Sequence, residues 1–116
     1  MRGEDPRRDF AAPVPVEVVR ADGGVERELA VNLSPRGVCV RLHRPIEVGE
    51  RVRVAFTLPP AGPEIRAEGV VVWTGHAGQI DAATQVWETG VHLLDLDAPA
   101  RDALSAFATQ PTNRRR

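Results

Sequence analysis

The sequence predicts an all-β fold, a small antiparallel barrel or sandwich that ends in one helix. Three observations predict it. Through most of the chain, apolar residues recur at every second position, the period that gathers them on one face of a strand. Turn signals rich in glycine and proline interrupt that alternation at short spacing. Only after Asp97 does the period lengthen to that of a helix.

Residues 1–12 are charged and aperiodic, and read as an extended arm bearing arginines. From Pro13 the period is two: Val14, Val16 and Val18 share a face, with Glu17 and Arg20 outward or to the side. Asp22-Gly23-Gly24 is a turn. A second strand, about Val25–Asn32, is more polar and reads as an edge. Ser34-Pro35-Arg36-Gly37 breaks the chain, and Val38, Val40 and Leu42 then alternate with Cys39, Arg41 and His43 in a third strand. Pro45–Glu50 is a connector in which Gly49 suits a turn. The fourth strand alternates cleanly, with Val52, Val54, Phe56 and Leu58 inside and Arg51, Arg53 and Thr57 outside. Pro59-Pro60-Ala61-Gly62-Pro63 ends it, because no strand or helix crosses such a run. The fifth strand, about Glu64–Thr74, closes on Val70-Val71-Val72-Trp73, which predicts burial on both faces. Gly75–Ala83 reads as a loop. The sixth strand, about Thr84–Leu94, contains Gly90, a candidate bulge.

Asp97 is placed to cap a helix that starts at Ala98 and Pro99. Ala100, Ala103, Leu104 and Phe107 fall on one face, and the helix ends before Pro111. The organisation is therefore an arm (1–12), a barrel with its helix (13–109) and a charged tail (110–116). Val54, Phe56, Val71, Leu93, Leu104 and Phe107 are expected in the core.

A chain of 116 residues is one domain, long enough for a core without metal or disulfide support. Its net charge of −1 supplies no field to hold nucleic acid, and paired exposed aromatics are lacking. All 15 basic residues are arginine, a bias that genome composition explains. One cysteine cannot form an internal disulfide and favours a reducing, cytoplasmic setting. The apolar runs are too short to span a bilayer, and the charged N-terminus predicts no secretory signal.

Catalytic chemistry is not expected. His43, His76 and His92 are scattered and have no metal-like spacing with Cys39. Cys39 reads as a small structural residue. Ser34 lacks a Gly-x-Ser-x-Gly setting, and neither a Walker-type phosphate loop nor a dinucleotide fingerprint occurs. Asp95 and Asp97 sit at a strand-to-helix junction, where aspartate caps. Two local clusters remain, Arg7-Arg8-Asp9-Phe10 ahead of the first strand and Asn32-Leu33-Ser34-Pro35-Arg36-Gly37 between strands two and three.

These clusters, in this order and with this strand count, resemble the PilZ domain family. Its signature is R-x-x-x-R before the first strand, followed by [D/N]-x-S-x-x-G. Asn32, Ser34 and Gly37 match the second motif in full. Glu68-Gly69-Val70-Val71-Val72-Trp73 looks like the family's fifth-strand element, and Gly90-Val91-His92-Leu93 like its last-strand element. The likeness covers about residues 7–108.

The resemblance implies a six-stranded antiparallel barrel with one C-terminal helix that binds cyclic di-GMP. It implies ligand contacts from Arg7 and Arg8 on the arm and from Asn32, Ser34 and Gly37. Arginine suits this ligand, a dianion with two flat purines, because it both stacks on a purine and bonds phosphate or the guanine edge. The sequence departs from the pattern at one point. With Arg8 as first arginine, aligned on Pro13-Val14, the second position holds Ala12. The expectation is a regulatory adaptor without catalysis, metal or cofactor, acting through a protein partner, with cyclic di-GMP bound weakly or not at all. The alternative is a true receptor that uses Arg7, Arg8 and the second motif.

Overall fold

The computed structural model describes residues 8–58, 62–81 and 83–109. Six strands precede one helix: β1 (Arg8–Val19), β2 (Val25–Leu33), β3 (Gly37–Leu42), β4 (Arg51–Thr57), β5 (Glu64–Gln79), β6 (Gln85–Leu93) and α1 (Ala98–Thr109). They form a closed antiparallel barrel in the order β1-β2-β3-β6-β5-β4. Closure decides for a barrel over a sandwich. It also overturns the edge assignment of β2, which pairs with β1 on one side and β3 on the other.

Alternation builds the interior. Val14, Val16 and Val18 of β1 face inward with Val52, Val54 and Phe56 of β4, and Phe56 pairs with Val16 on one side and Ile65 on the other. Val38, Val40 and Leu42 line the next arc, and Val71, Val91 and Leu93 close it. All six expected core residues are buried. The Asp97 carboxylate accepts the Ala100 N–H at 2.9 Å, the cap that starts α1. Leu104 and Phe107 then carry the helix onto the barrel core. No helix among the described residues is long and apolar enough to cross a membrane.

Two element ends and one burial expectation differ from the sequence reading. The first strand starts at Arg8, not Pro13, because the backbones of Arg8 and Asp9 pair with Leu33 and Asn32. Pairing of that kind leaves no trace in side-chain period. The segment expected as a loop from Gly75 is strand as far as Gln79, paired with the start of β6. Two-sided burial of Val70–Trp73 is not observed: Val71 is 1% exposed, but Val72 is 50% and Trp73 45%. The register slips between Val71 and Trp73, so the extra residue of the bulge lies in β5 opposite Gly90. Among the described residues, no second layer covers this outer face.

Two inward polar groups were not legible. Thr89 is fully buried, and its hydroxyl meets that of Thr74 at 3.0 Å. Arg20, read as pointing outward or to the side, turns at the end of β1 toward Glu26 and Glu50. Its guanidinium donates to Glu26 at 2.7 Å and to Glu50 at 3.0 and 3.2 Å, and reaches the Pro45 carbonyl at 3.1 Å. Hydrogen bonding to Glu50 raises its pKa, against burial. The same bond holds the Glu50 carboxyl below its ordinary value, with the Ala21 N–H assisting. Three chain segments are tied here: the β1–β2 hairpin, β2 and the connector into β4.

Candidate functional site

The β2–β3 turn is short and self-contained. Ser34 N–H donates to the Gly37 carbonyl at 2.9 Å, and Gly37 N–H returns a bond to Ser34 at 3.2 Å. The Ser34 hydroxyl accepts the Arg36 N–H at 3.2 Å, the local bond that makes serine a turn residue. Gly37 is required by packing. A Cβ there would overlap the Val91 carbonyl of β6, so only glycine lets the two strands approach.

This turn forms one wall of an outer-surface cleft of about 210 Å³. Asn32, Ser34 and Gly37 all line it, so the second sequence motif converges on one place. The opposite wall comes from β5 and β6. Trp73 lies against Gly90, where any Cβ would run into the indole. The pyrrole edge of the indole lies over Gly90, and the residue remains 45% exposed, a platform for another planar group. Between the walls sits Cys39, 7% exposed, and His92 and Arg36 complete the lining.

The arm residues stand as follows. Arg7 lies outside the described residues. Arg8 heads β1 with its backbone opposite Leu33, and Asp9 is opposite Asn32, so the start of β1 runs beside the strand end that carries the motif. Ala12 falls in the irregular stretch between Asp9 and Val14, where the register slips. The lining residues not expected at a site include Arg36, Trp73 and His92. Arg36 could have been found from its place inside the motif. Trp73 and His92 required the register, because His92 is opposite Gly37 and Trp73 is opposite Gly90.

The other titratable groups are structural. His43 Nδ1 meets Glu28 at 2.9 Å, and His76 contacts Gln85 and stands edge-on to Trp87. The Asp95 carboxylate accepts the Glu68 N–H at 2.7 Å and so ties the exit of β6 to β5. Among the described residues, no group of three or more His, Cys, Asp or Glu could hold a metal ion.

The PilZ domain profile matches residues 2–110. Comparison with curated protein sequences gives no match. Among solved structures, the inhibitor of motility of Bacillus subtilis (MotI/DgrA) superposes with a TM-score of 0.72 at 21% identity, over 93% of this chain and 50% of that one. The PilZ domain with c-di-GMP of YcgR from Escherichia coli gives 0.71 at 17% identity, over 90% of this chain and 86% of that one. MrkH of K. pneumonia gives 0.71 at 14%, over 90% and 47%. The chain thus spans about half the length of the motility inhibitor and of MrkH. At these identities the likeness is one of fold.

Proposed function

The chain belongs to the PilZ domain family, and from that premise we propose that it is a non-catalytic regulatory module of cyclic di-GMP-linked signalling, acting in the cytoplasm through a protein partner and binding the dinucleotide weakly. One observation carries the reading. Asn32, Ser34 and Gly37 converge in a single cleft beside the head of β1, while position 12, where the family pattern has its second arginine, is alanine. A PilZ domain of this fold, that of YcgR, has been solved with c-di-GMP.

The cleft offers what a guanine dinucleotide needs, short of one cation. Asn32 supplies an amide for a base edge. Ser34 still has a hydroxyl hydrogen to donate, since its oxygen is the acceptor in the turn. Trp73 offers a face for a purine, as aromatic side chains do for nucleic-acid bases. Arg8, with Arg7 beside it, serves phosphate or the guanine O6/N7 edge. The missing arginine removes a charge-assisted contact of about 1.5–3 kcal/mol. Affinity falls by about tenfold to a hundredfold. A second reading, a full receptor built on Arg7, Arg8 and the second motif, draws support from Arg36, an exposed cation lining the same cleft.

Calorimetric titration with cyclic di-GMP separates the two. Weak binding by the parent chain is expected, and Ala12→Arg is expected to raise affinity at least about tenfold. The gain should shrink as salt rises, because the new contact is to a dianion. Adding Ser34→Ala should reduce it, since both groups grip one ligand. Tight binding by the parent establishes the receptor reading. An Ala12→Arg variant that folds and binds no better than the parent leaves an adaptor whose cleft serves another purpose.

A further inference from the structure

We infer, resting on the cyclic di-GMP reading above, that His92 is an anion-binding side chain of the cleft, effective when its imidazole is protonated, so that affinity for the dinucleotide rises as pH falls. The three histidines are not equivalent. His43 is engaged by Glu28, and His76 by Gln85 and Trp87. His92 is exposed, lines the cleft, and has no hydrogen bond or ion pair among the described residues.

The pairing of β6 delivers it there. His92 is opposite Gly37 of β3 on one side and Val70 of β5 on the other. Neither brings a polar side chain, and the glycine puts nothing between the imidazole and the motif turn. The Leu93 N–H donates to the Arg36 carbonyl at 2.9 Å, which holds that turn against β6. The lining therefore holds one fixed cation, Arg36, and one base that acquires charge, His92.

Among the described residues, the lining contains no carboxylate. Glu68, two residues before Val70, and Asp95, three after His92, line a different cleft with Arg53 and Arg66. The Asp95 carboxylate also accepts the Glu68 N–H. On β4, Arg51 stands one strand further away, opposite Val70. At the head of β1, Arg8 and Asp9 are in register with Leu33 and Asn32. On β3 the titratable group is Cys39, whose thiolate, formed at higher pH, would repel the same ligand. A protonated His92 thus finds no carboxylate in the lining, and a dianion supplies the missing counter-charge. Histidine changes charge between about pH 5 and pH 8. Protonated, both ring nitrogens donate, and a charge-assisted bond to phosphate is about twice as strong as a neutral one.

Calorimetric titration of the full chain with cyclic di-GMP from about pH 8 to about pH 5.5 tests this. That window lies above the range in which Glu50 loses its charge. Affinity is expected to rise at least about fivefold across it, with proton uptake on binding read as a heat that depends on the buffer. His92→Gln should bind like the parent at the alkaline end and stay flat, without proton uptake. His92→Arg should stay flat near the parent's acid value, since its charge is permanent. Cys39→Ser should keep the full pH dependence. A parent whose affinity does not change with pH overturns the inference and leaves the dinucleotide reading intact. A His92→Gln variant with the parent's pH dependence also overturns it and places the titrating group elsewhere. No binding by any form at any pH overturns the dinucleotide reading, and the inference with it.

Discussion

Phe56→Ala is expected to cost about 3–5 kcal/mol, the range for truncating a buried phenylalanine. The ring is 3% exposed and sits in β4 between Val16 of β1 and Ile65 of β5, so three strands share the cavity it would leave. Those strands are locked by pairing on both sides in a closed barrel, which limits how far they can collapse into the space. Urea unfolding followed by circular dichroism reads the loss as a lower midpoint at unchanged slope. A loss under about 0.5 kcal/mol would put Phe56 on the surface and break the register of β4. Thr57→Ala, one position on and exposed, is the control, expected to shift stability by no more than about 0.5 kcal/mol.

Arg20→Ala is expected to be as damaging, by a different route. The side chains of Arg20, Glu26 and Glu50 are 9%, 8% and 18% exposed. Removing the cation strands two carboxylates that folding has taken out of water, and breaking a buried pair in this way costs about 3–5 kcal/mol. Arg44, whose Nε lies 3.5 Å from Glu26, is a partial substitute on the exposed side. One Glu26 oxygen, Oε1, is buried and has no partner among the described residues, so the cluster has little to spare. The melting temperature should fall by about 10 °C or more. By contrast, removing Arg66 breaks only an exposed pair with Glu64, worth about 0–1 kcal/mol.

The pH dependence carries a sign. The Glu50 carboxyl is held below its ordinary 4.5, first by the hydrogen bond from Arg20. A carboxylate with a lower pKa folded than unfolded adds stability above its unfolded value, and that stability is lost as pH falls through the folded value. The parent chain should therefore lose stability on acidification below 4.5. Arg20→Ala starts lower at neutral pH and loses less on acidification, so the two curves converge. Parallel curves would show that Glu50 owes nothing to Arg20.

How much was legible depended on where each residue sends its side chain. Val52, Val54, Phe56 and Leu58 announced β4 because one face meets the core and the other meets water. Gly75–Gln79 announced nothing, since neither face of that ribbon is buried and no apolar period can arise. Arg20 looked like a surface charge because Glu50 lies 30 residues away in sequence and only closure of the barrel brings it in. Val72 and Trp73 looked buried because the run around them is apolar, and a one-residue bulge turned them outward. Within the cleft, Asn32, Ser34 and Gly37 were readable as a contiguous motif. Trp73 and His92 come from other strands, and their place follows from pairing across β6, which no local pattern encodes.

The β2–β3 turn has a consequence for how such chains drift. Ser34 closes the turn on Arg36, and Gly37 is the only residue that fits beneath the Val91 carbonyl. Both would be retained by selection for folding alone, even in a lineage that had stopped responding to a nucleotide. Ala12 stands under no such constraint, since the stretch from Asp9 to Val14 runs out of register with β2 and no ladder pair fixes it. Loss of signalling should therefore be recorded first in the arm and last in the turn. A motif written into the backbone keeps its spelling after its meaning has gone, and the informative letters for ancestry and for response lie in different parts of the chain.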